Sequence, residues 1–480
     1  MQRIRCRNLW TGTGPCLSGV SVFVNDSGVI SSIESCSDRS FDCDFAMPSF
    51  VDAHTHLTWM VVKKASLDLS QVHSAEELIS LVASAEPAAG GTVIRGESFD
   101  ESDWADAELP TLAQLDRAGG DVPVFLRRVC GHTALANSAL LRLLDDSIPG
   151  INRKTGVLRE WPVLNFERLF PLTDSVLASA FSGVESEIFS HGVTGVFAFE
   201  SPHGAELVLK SDSRLDVSVA VMVEGVDDLP DGILPVQTVK LFLDGSFGAE
   251  NAALLYPYPS GAAGELHYSD SQLFSLLFRC GERGLSVAVH AIGGRALQQL
   301  DRVSGEVFKA LGHGFSVRVE HAEELLHAWP GTWSREHHIF SMQPNFVERW
   351  QRPGGMYDTI LTSDRAAVLN PFRTVVDSGF RLGFGSDCMP LDPLFGLNGA
   401  VNHRLSTQSL SVHEAMYAYT LGSASISGLN HLAEPLAAGR TADMVFLSGN
   451  PFEKLEGVAV EATMKNGSVV YGNTGIAKGI

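Results

Sequence analysis

Met47-Pro48-Ser49-Phe50-Val51-Asp52-Ala53-His54-Thr55-His56-Leu57 is the stretch whose reading decides the fold. A short apolar run opened by a proline reads as a buried strand starting near Ser49. Side chains at i and i+2 of a strand share a face, so His54 and His56 project together while Thr55 points away. Two imidazoles converging from one strand end make half of a metal site. Alone, an H-x-H reads more naturally as a pair of surface histidines in a loop. The rest of the chain overturns that reading.

Four further polar residues stand where apolar runs end. Val239-Lys240-Leu241-Phe242-Leu243-Asp244 holds a lysine inside such a run, and Leu285-Ser286-Val287-Ala288-Val289-His290 ends in a histidine. Phe315-Ser316-Val317-Arg318-Val319-Glu320-His321 repeats the design, and Arg381-Leu382-Gly383-Phe384-Gly385-Ser386-Asp387 closes on a carboxylate. With the runs at 193–199, 217–223 and 339–343 there are eight, and helical stretches fit between most neighbours. This alternation predicts an α/β fold, a closed (β/α)8 TIM barrel whose site gathers at the C-terminal strand ends. His54, His56, Lys240, His290, His321 and Asp387 then fall on strands one, four, five, six and eight.

The gap between His56 and the strand at 193 far exceeds a single crossover. Residues 57–190 are therefore a large insertion after strand one, with strand-like runs at 92–96 and 122–126 and amphipathic helices near 74–85 and 172–190. Short strand-like runs also occupy 1–46 and 434–480, leaving 47–433 for the barrel.

The chain of 480 residues is longer than one ordinary core. Apolar residues make up 45% and charged residues 19%, ample for a packed interior. A formal net charge of −21 argues against nucleic acid and anionic membranes as partners and leaves a small molecule. Seven cysteines without C-x-x-C spacing suit a reducing compartment. Without an apolar leader or a run long enough to span a bilayer, a cytoplasmic protein is expected. A homodimer is the commonest assembly for such a chain.

The segments MPSFVDAHTHL, TVKLFLDGSFGAENAAL, VAVHAIGGRAL, VRVEHAEEL and GFGSDCMPLDPL together resemble the amidohydrolase superfamily. The likeness is to its amidohydrolase-3 (YtcJ-like) branch, which includes N-substituted formamide deformylase. It implies a barrel whose insertion caps the mouth and whose termini, 1–46 and 434–480, meet in a small β-sandwich. It also implies a metal-dependent hydrolase of a non-peptide, amide-type C–N bond, working through metal-bound hydroxide. His54 and His56 would hold the more buried metal, and His290 and His321 the second or a share of the first. Asp387 would be a ligand and the proton shuttle, base then acid. Zn²⁺ is the expected ion, one or two per chain, because it brings the pKa of bound water to about 7.

Lys240 has two readings: an N6-carboxylated bridge between two metals, as in related enzymes, or an ammonium paired with Asp244 or the substrate. His132, in RRVCGHTALAN, is placed near the substrate by the resemblance. Gln343, at the seventh strand end, is a substrate contact or a satisfied core amide. The branch usually carries an acidic residue where Gly294 stands. Asp52 reads as an orienting residue, Glu200 and His203 as loop residues, and Cys388 as a small buried hydrophobe. A lactonase or ester hydrolase would use the same apparatus. A ring deaminase is disfavoured by Lys240, and a catalytically silent scaffold by the complete ligand set.

Overall fold

The β-branched, apolar runs form eight parallel strands: Phe50–Thr55 (β1), Val193–Glu200 (β2), Asp216–Met222 (β3), Thr238–Phe242 (β4), Ser286–Ala291 (β5), Val317–His321 (β6), His338–Met342 (β7) and Arg381–Phe384 (β8). They pair in chain order, each parallel to the next. The computed structural model describes residues 1–38, 40–87, 91–101, 104, 108–129, 131, 133–223, 225, 236–329 and 332–472.

The residues just after β8 close the ring onto β1. Asp387 N–H donates to the His54 carbonyl at 2.8 Å, and Ser386 N–H donates to Asp52 Oδ1 at 2.9 Å. Gly385 makes that approach possible, since a Cβ there would lie 2.3 Å from His54 N. Phe197, Phe199, Ala220 and Ala288 form a buried cluster from β2, β3 and β5, the layered filling that makes a barrel a packed core.

The helix Gly294–Leu311 begins where the carboxylates of two neighbouring loops receive its free N–H groups. Asp244 accepts from Ile292 and Gly293, and Glu324 accepts from Gly294. A Cβ at 294 would lie 2.4 Å from Leu255 Cγ and 3.0 Å from Glu324 Oε2, so a side chain there would have to displace Leu255 and crowd the Glu324 carboxylate.

The two termini are hydrogen-bonded into one seven-stranded sheet. Gln2–Leu9, Leu17–Val24, Ile30–Ser35 and Cys43–Pro48 join Met444–Leu447, Val460–Lys465 and Ser468–Gly472. Ile4, Val22, Met444 and Phe446 lie in its buried core. Pro48 ends its strand in this sheet, and β1 starts two residues later.

Thr58–Val184 form a second compact unit. A six-stranded sheet runs through it, flanked by the helices Ala75–Ser84, capped by Ser74, and Leu112–Gly119, opened by a Thr111/Gln114 capping box. Among the described residues no helix is long and apolar enough to cross a membrane.

Candidate metal centre

His54 lies near the end of β1 and His56 directly after it, so the i, i+2 relation brings their ring centres to 5.6 Å. Each ring is fixed through Nδ1. His54 Nδ1 lies 2.7 Å from Glu320 Oε2, and His56 Nδ1 lies 3.1 Å from the Phe199 carbonyl oxygen. A carbonyl or carboxylate accepts only, so Nδ1 of each ring carries its N–H and Nε2 is the nitrogen turned toward Asp387. Both Nε2 atoms face Asp387 Oδ1, at 3.6 Å for His54 and 3.0 Å for His56.

Asp387 arrives by a backbone device. The chain leaves β8 and adopts positive φ at Asp387 (52°) and Cys388 (59°), a conformation costly outside glycine. His321 does the same at the end of β6, with φ of 69°. That turn interrupts strand alternation and brings the His321 ring to 4.8 Å from His54 and 4.5 Å from His290. Ligand atoms of His54, His321 and Asp387 all lie within 4.8 Å of one another. Two imidazoles and a carboxylate are ordinary zinc donors. His290 differs, because its Nε2 lies 2.9 Å from the Gly245 carbonyl, which leaves Nδ1 as its free nitrogen.

Unmade bonds test whether these residues fit a cation. Lys240 is wholly buried in β4, its Nζ 4.1 Å from the Phe199 ring centre and 5.1 Å from that of Phe242. Among the described residues Nζ has no hydrogen-bond partner, and neither has His321 Nδ1. The pairing of Lys240 with Asp244 is not formed: Asp244 spends its oxygens on the N–H groups of Ala253, Ile292 and Gly293. Buried polar atoms are rarely left without partners, and clustered exceptions mark a place where a bound group completes the bonding. The donor set fits a divalent ion.

Electrostatics agrees for three of the four histidines, His54, His290 and His321, and runs the other way at His56. Burial and Lys240 hold the His54 pKa well below the ordinary imidazole value, and burial with His290 does so for His321. Burial and Lys240 take His290 to about 3. Neutral imidazole is the ligating form. Burial brings Lys240 down to about 8, so a neutral amine is accessible near physiological pH. Burial alone would raise Asp387, but His54 and His56 outweigh it and hold the carboxyl below its usual range. Burial would lower His56, but the adjacent Asp387 carboxylate outweighs it and raises the pKa, so a bound cation has to displace a proton from this ring.

The six expected residues therefore gather at one end of the barrel. Gln343, just past β7, is buried, with Nε2 3.4 Å from the Ser341 carbonyl and Oε1 without a partner among the described residues. His132 lies outside the described residues. Asp52 accepts the N–H groups of His54 and Ser386, which orients the β1–β8 junction. Glu200 is the buried last residue of β2 and not a loop residue. Cys388 is only partly buried, and its Sγ accepts the His56 N–H at 3.4 Å. The sequence reading passed over Glu320, although a carboxylate one residue before His321 in a buried strand was its signal.

Residues 44–471 match the amidohydrolase family. The Bacillus subtilis protein YtcJ is 27% identical, over 88% of each chain. N-substituted formamide deformylase of Arthrobacter pascens is 22% identical, over 89% of each chain. A crystal structure described as an uncharacterized metal-dependent hydrolase from Pyrococcus furiosus superposes with a TM-score of 0.74 at 26% identity. It covers 94% of this chain and 99% of that one.

Proposed function

The chain belongs to the amidohydrolase family, a family of metal-dependent hydrolases, and from that premise we propose that it hydrolyses a non-peptide, amide-type C–N bond of a small molecule. One observation carries the reading: His54, His321 and Asp387 converge beside a buried lysine whose amine has no hydrogen-bond partner among the described residues. His54, His56, His290, His321 and Asp387 would hold Zn²⁺ or a similar ion. Lys240, as its carbamate, would bridge to a second ion. The metal, when bound, supplies Lewis acidity and makes water nucleophilic near neutral pH.

The chain's own residues supply the rest. Asp387, ionised at neutral pH, accepts the proton of the attacking water and returns it to the leaving nitrogen. His56 and Asp387 are the more exposed members of the set, at 27% and 16%, so substrate meets the site on their side. Gln343 Oε1, without a hydrogen-bond partner among the described residues, would accept a substrate N–H. Six described cysteines are free thiols, which suits a cytoplasmic enzyme.

A panel of N-formyl, N-acyl, lactone and ester compounds tests this, run with metal-stripped protein and with Zn²⁺ or Mn²⁺ restored. Metal-dependent release of amine from an amide supports the reading. Turnover confined to lactones or esters replaces it with a C–O hydrolase.

A further inference from the structure

We propose that Arg318 and Glu320 are positioning residues of the metal centre, a buried ion pair that holds β1 and the His54 ring so that Nε2 faces the ion. The inference rests on the metal-centre reading above. Its starting point is a pattern in β6, Val317-Arg318-Val319-Glu320-His321, where two opposite charges share the interior face of a strand that should be apolar. Arg318 is 2% exposed and Glu320 is fully excluded from solvent. Charges so placed are a liability unless every hydrogen-bonding position is used.

They are almost all used. Arg318 Nε donates to Glu320 Oε1 at 2.5 Å, Nη1 to the Ile426 carbonyl at 3.1 Å, and Nη2 to Ser341 Oγ at 3.1 Å and to the Ala53 carbonyl. The guanidinium also lies 4.1 Å from the centre of the Phe197 ring. One planar fork thus reaches β1, β2, β7 and the helix Ser423–Ile426, a geometry a lysine could not reproduce. The choice of contacts on β1 carries the inference. Arg318 grips the carbonyl of Ala53, immediately before His54, and Glu320 Oε2 takes the His54 Nδ1–H at 2.7 Å. Backbone and ring of one ligand are held by the two halves of one ion pair. A pair serving only to fill the barrel would have no reason to spend both halves there.

Zn²⁺ affinity, measured on full-length protein by competition with a fluorescent chelator, separates positioning from packing. Glu320→Gln, nearly isosteric, should weaken Zn²⁺ binding about 10–100-fold. It also leaves Arg318 unbalanced and should lower the melting temperature. Arg318→Met/Glu320→Leu removes both charges, so the melting temperature should recover while Zn²⁺ affinity stays low. Affinity that recovers together with stability, or Glu320→Gln binding as tightly as the unaltered chain, overturns the inference. Failure of the unaltered chain to bind Zn²⁺ overturns the metal-centre reading itself, and this inference with it.

Discussion

Lys465, in the terminal sheet, and Lys240, in β4, are both buried, and their amines meet opposite surroundings. Lys465 Nζ pairs with Asp443 Oδ1 at 3.0 Å and with Asp216, which also receives His431 Nε2 at 2.8 Å. Lys240 Nζ faces the rings of Phe199 and Phe242 and has no hydrogen-bond partner among the described residues. A lysine buried for stability arrives with its counter-ions. At Lys240 no hydrogen-bonded counter-ion accompanies the amine among the described residues, and burial lowers its pKa to about 8. The same chain spends bonding at its terminal sheet and withholds it at the strand ends of its barrel.

The largest expected effect tests the withholding end against the other. Asp387→Asn should retain metal and lose about 10²–10⁴-fold in turnover, because proton transfer is removed while the ligand geometry stays. Asp443→Asn, at the paired end, should leave turnover within twofold and lower the melting temperature. Steady-state kinetics on the active substrate checks both, and a matching loss of turnover in the two variants would dissolve the contrast.

Stability gives the next test, with opposite signs at the two lysines. Lys465→Met strands two carboxylates and should cost about 3–5 kcal/mol in urea unfolding. Lys240→Met, in metal-stripped protein, replaces an unpartnered buried amine with an apolar side chain and should be neutral or stabilising. Equal losses would mean that Lys240 has a partner after all. Lys240→Ala sharpens the carbamate reading: metal content should fall to one equivalent or none, and acetate should restore part of the activity. Full occupancy without acetate rescue assigns an ammonium.

The smallest effect belongs to a surface pair. Arg373 grips Glu414 through two hydrogen bonds, at 2.6 and 2.7 Å, and holds its pKa at about 2. The folded pKa lies below the ordinary 4.5, so this stabilisation is full above that pH and fades as pH falls toward 2. Glu414 is about a third exposed, so Glu414→Gln should cost under about 1 kcal/mol at pH 7. The melting-temperature gap to the unaltered chain should close on acidification, and a gap constant with pH would break the assignment.

Much of this could be read along the chain. The expected runs at 193–199, 217–223 and 339–343 fall within a residue of β2, β3 and β7, because a strand buried on both faces writes itself as a local apolar run. His290 and His321 stand among the closing residues of such runs, β5 and β6, and Lys240 lies inside β4. Asp387 lies three residues past β8, where no periodicity reaches, and a left-handed turn delivers it.

The sequence by itself determined the barrel and the large insertion, since apolar runs and the lengths of chain between them are local properties. Only the tertiary structure decided which donors meet. Glu320 selects the His54 tautomer across 266 residues, and Asp52 holds Ser386 across 334. Asp244 goes to backbone N–H groups and so leaves Lys240 alone. Gly385 lets the ring close at His54. Partner choice of this kind depends on distances across the closed barrel, and nothing in the pattern of one strand encodes which atom of another will face it.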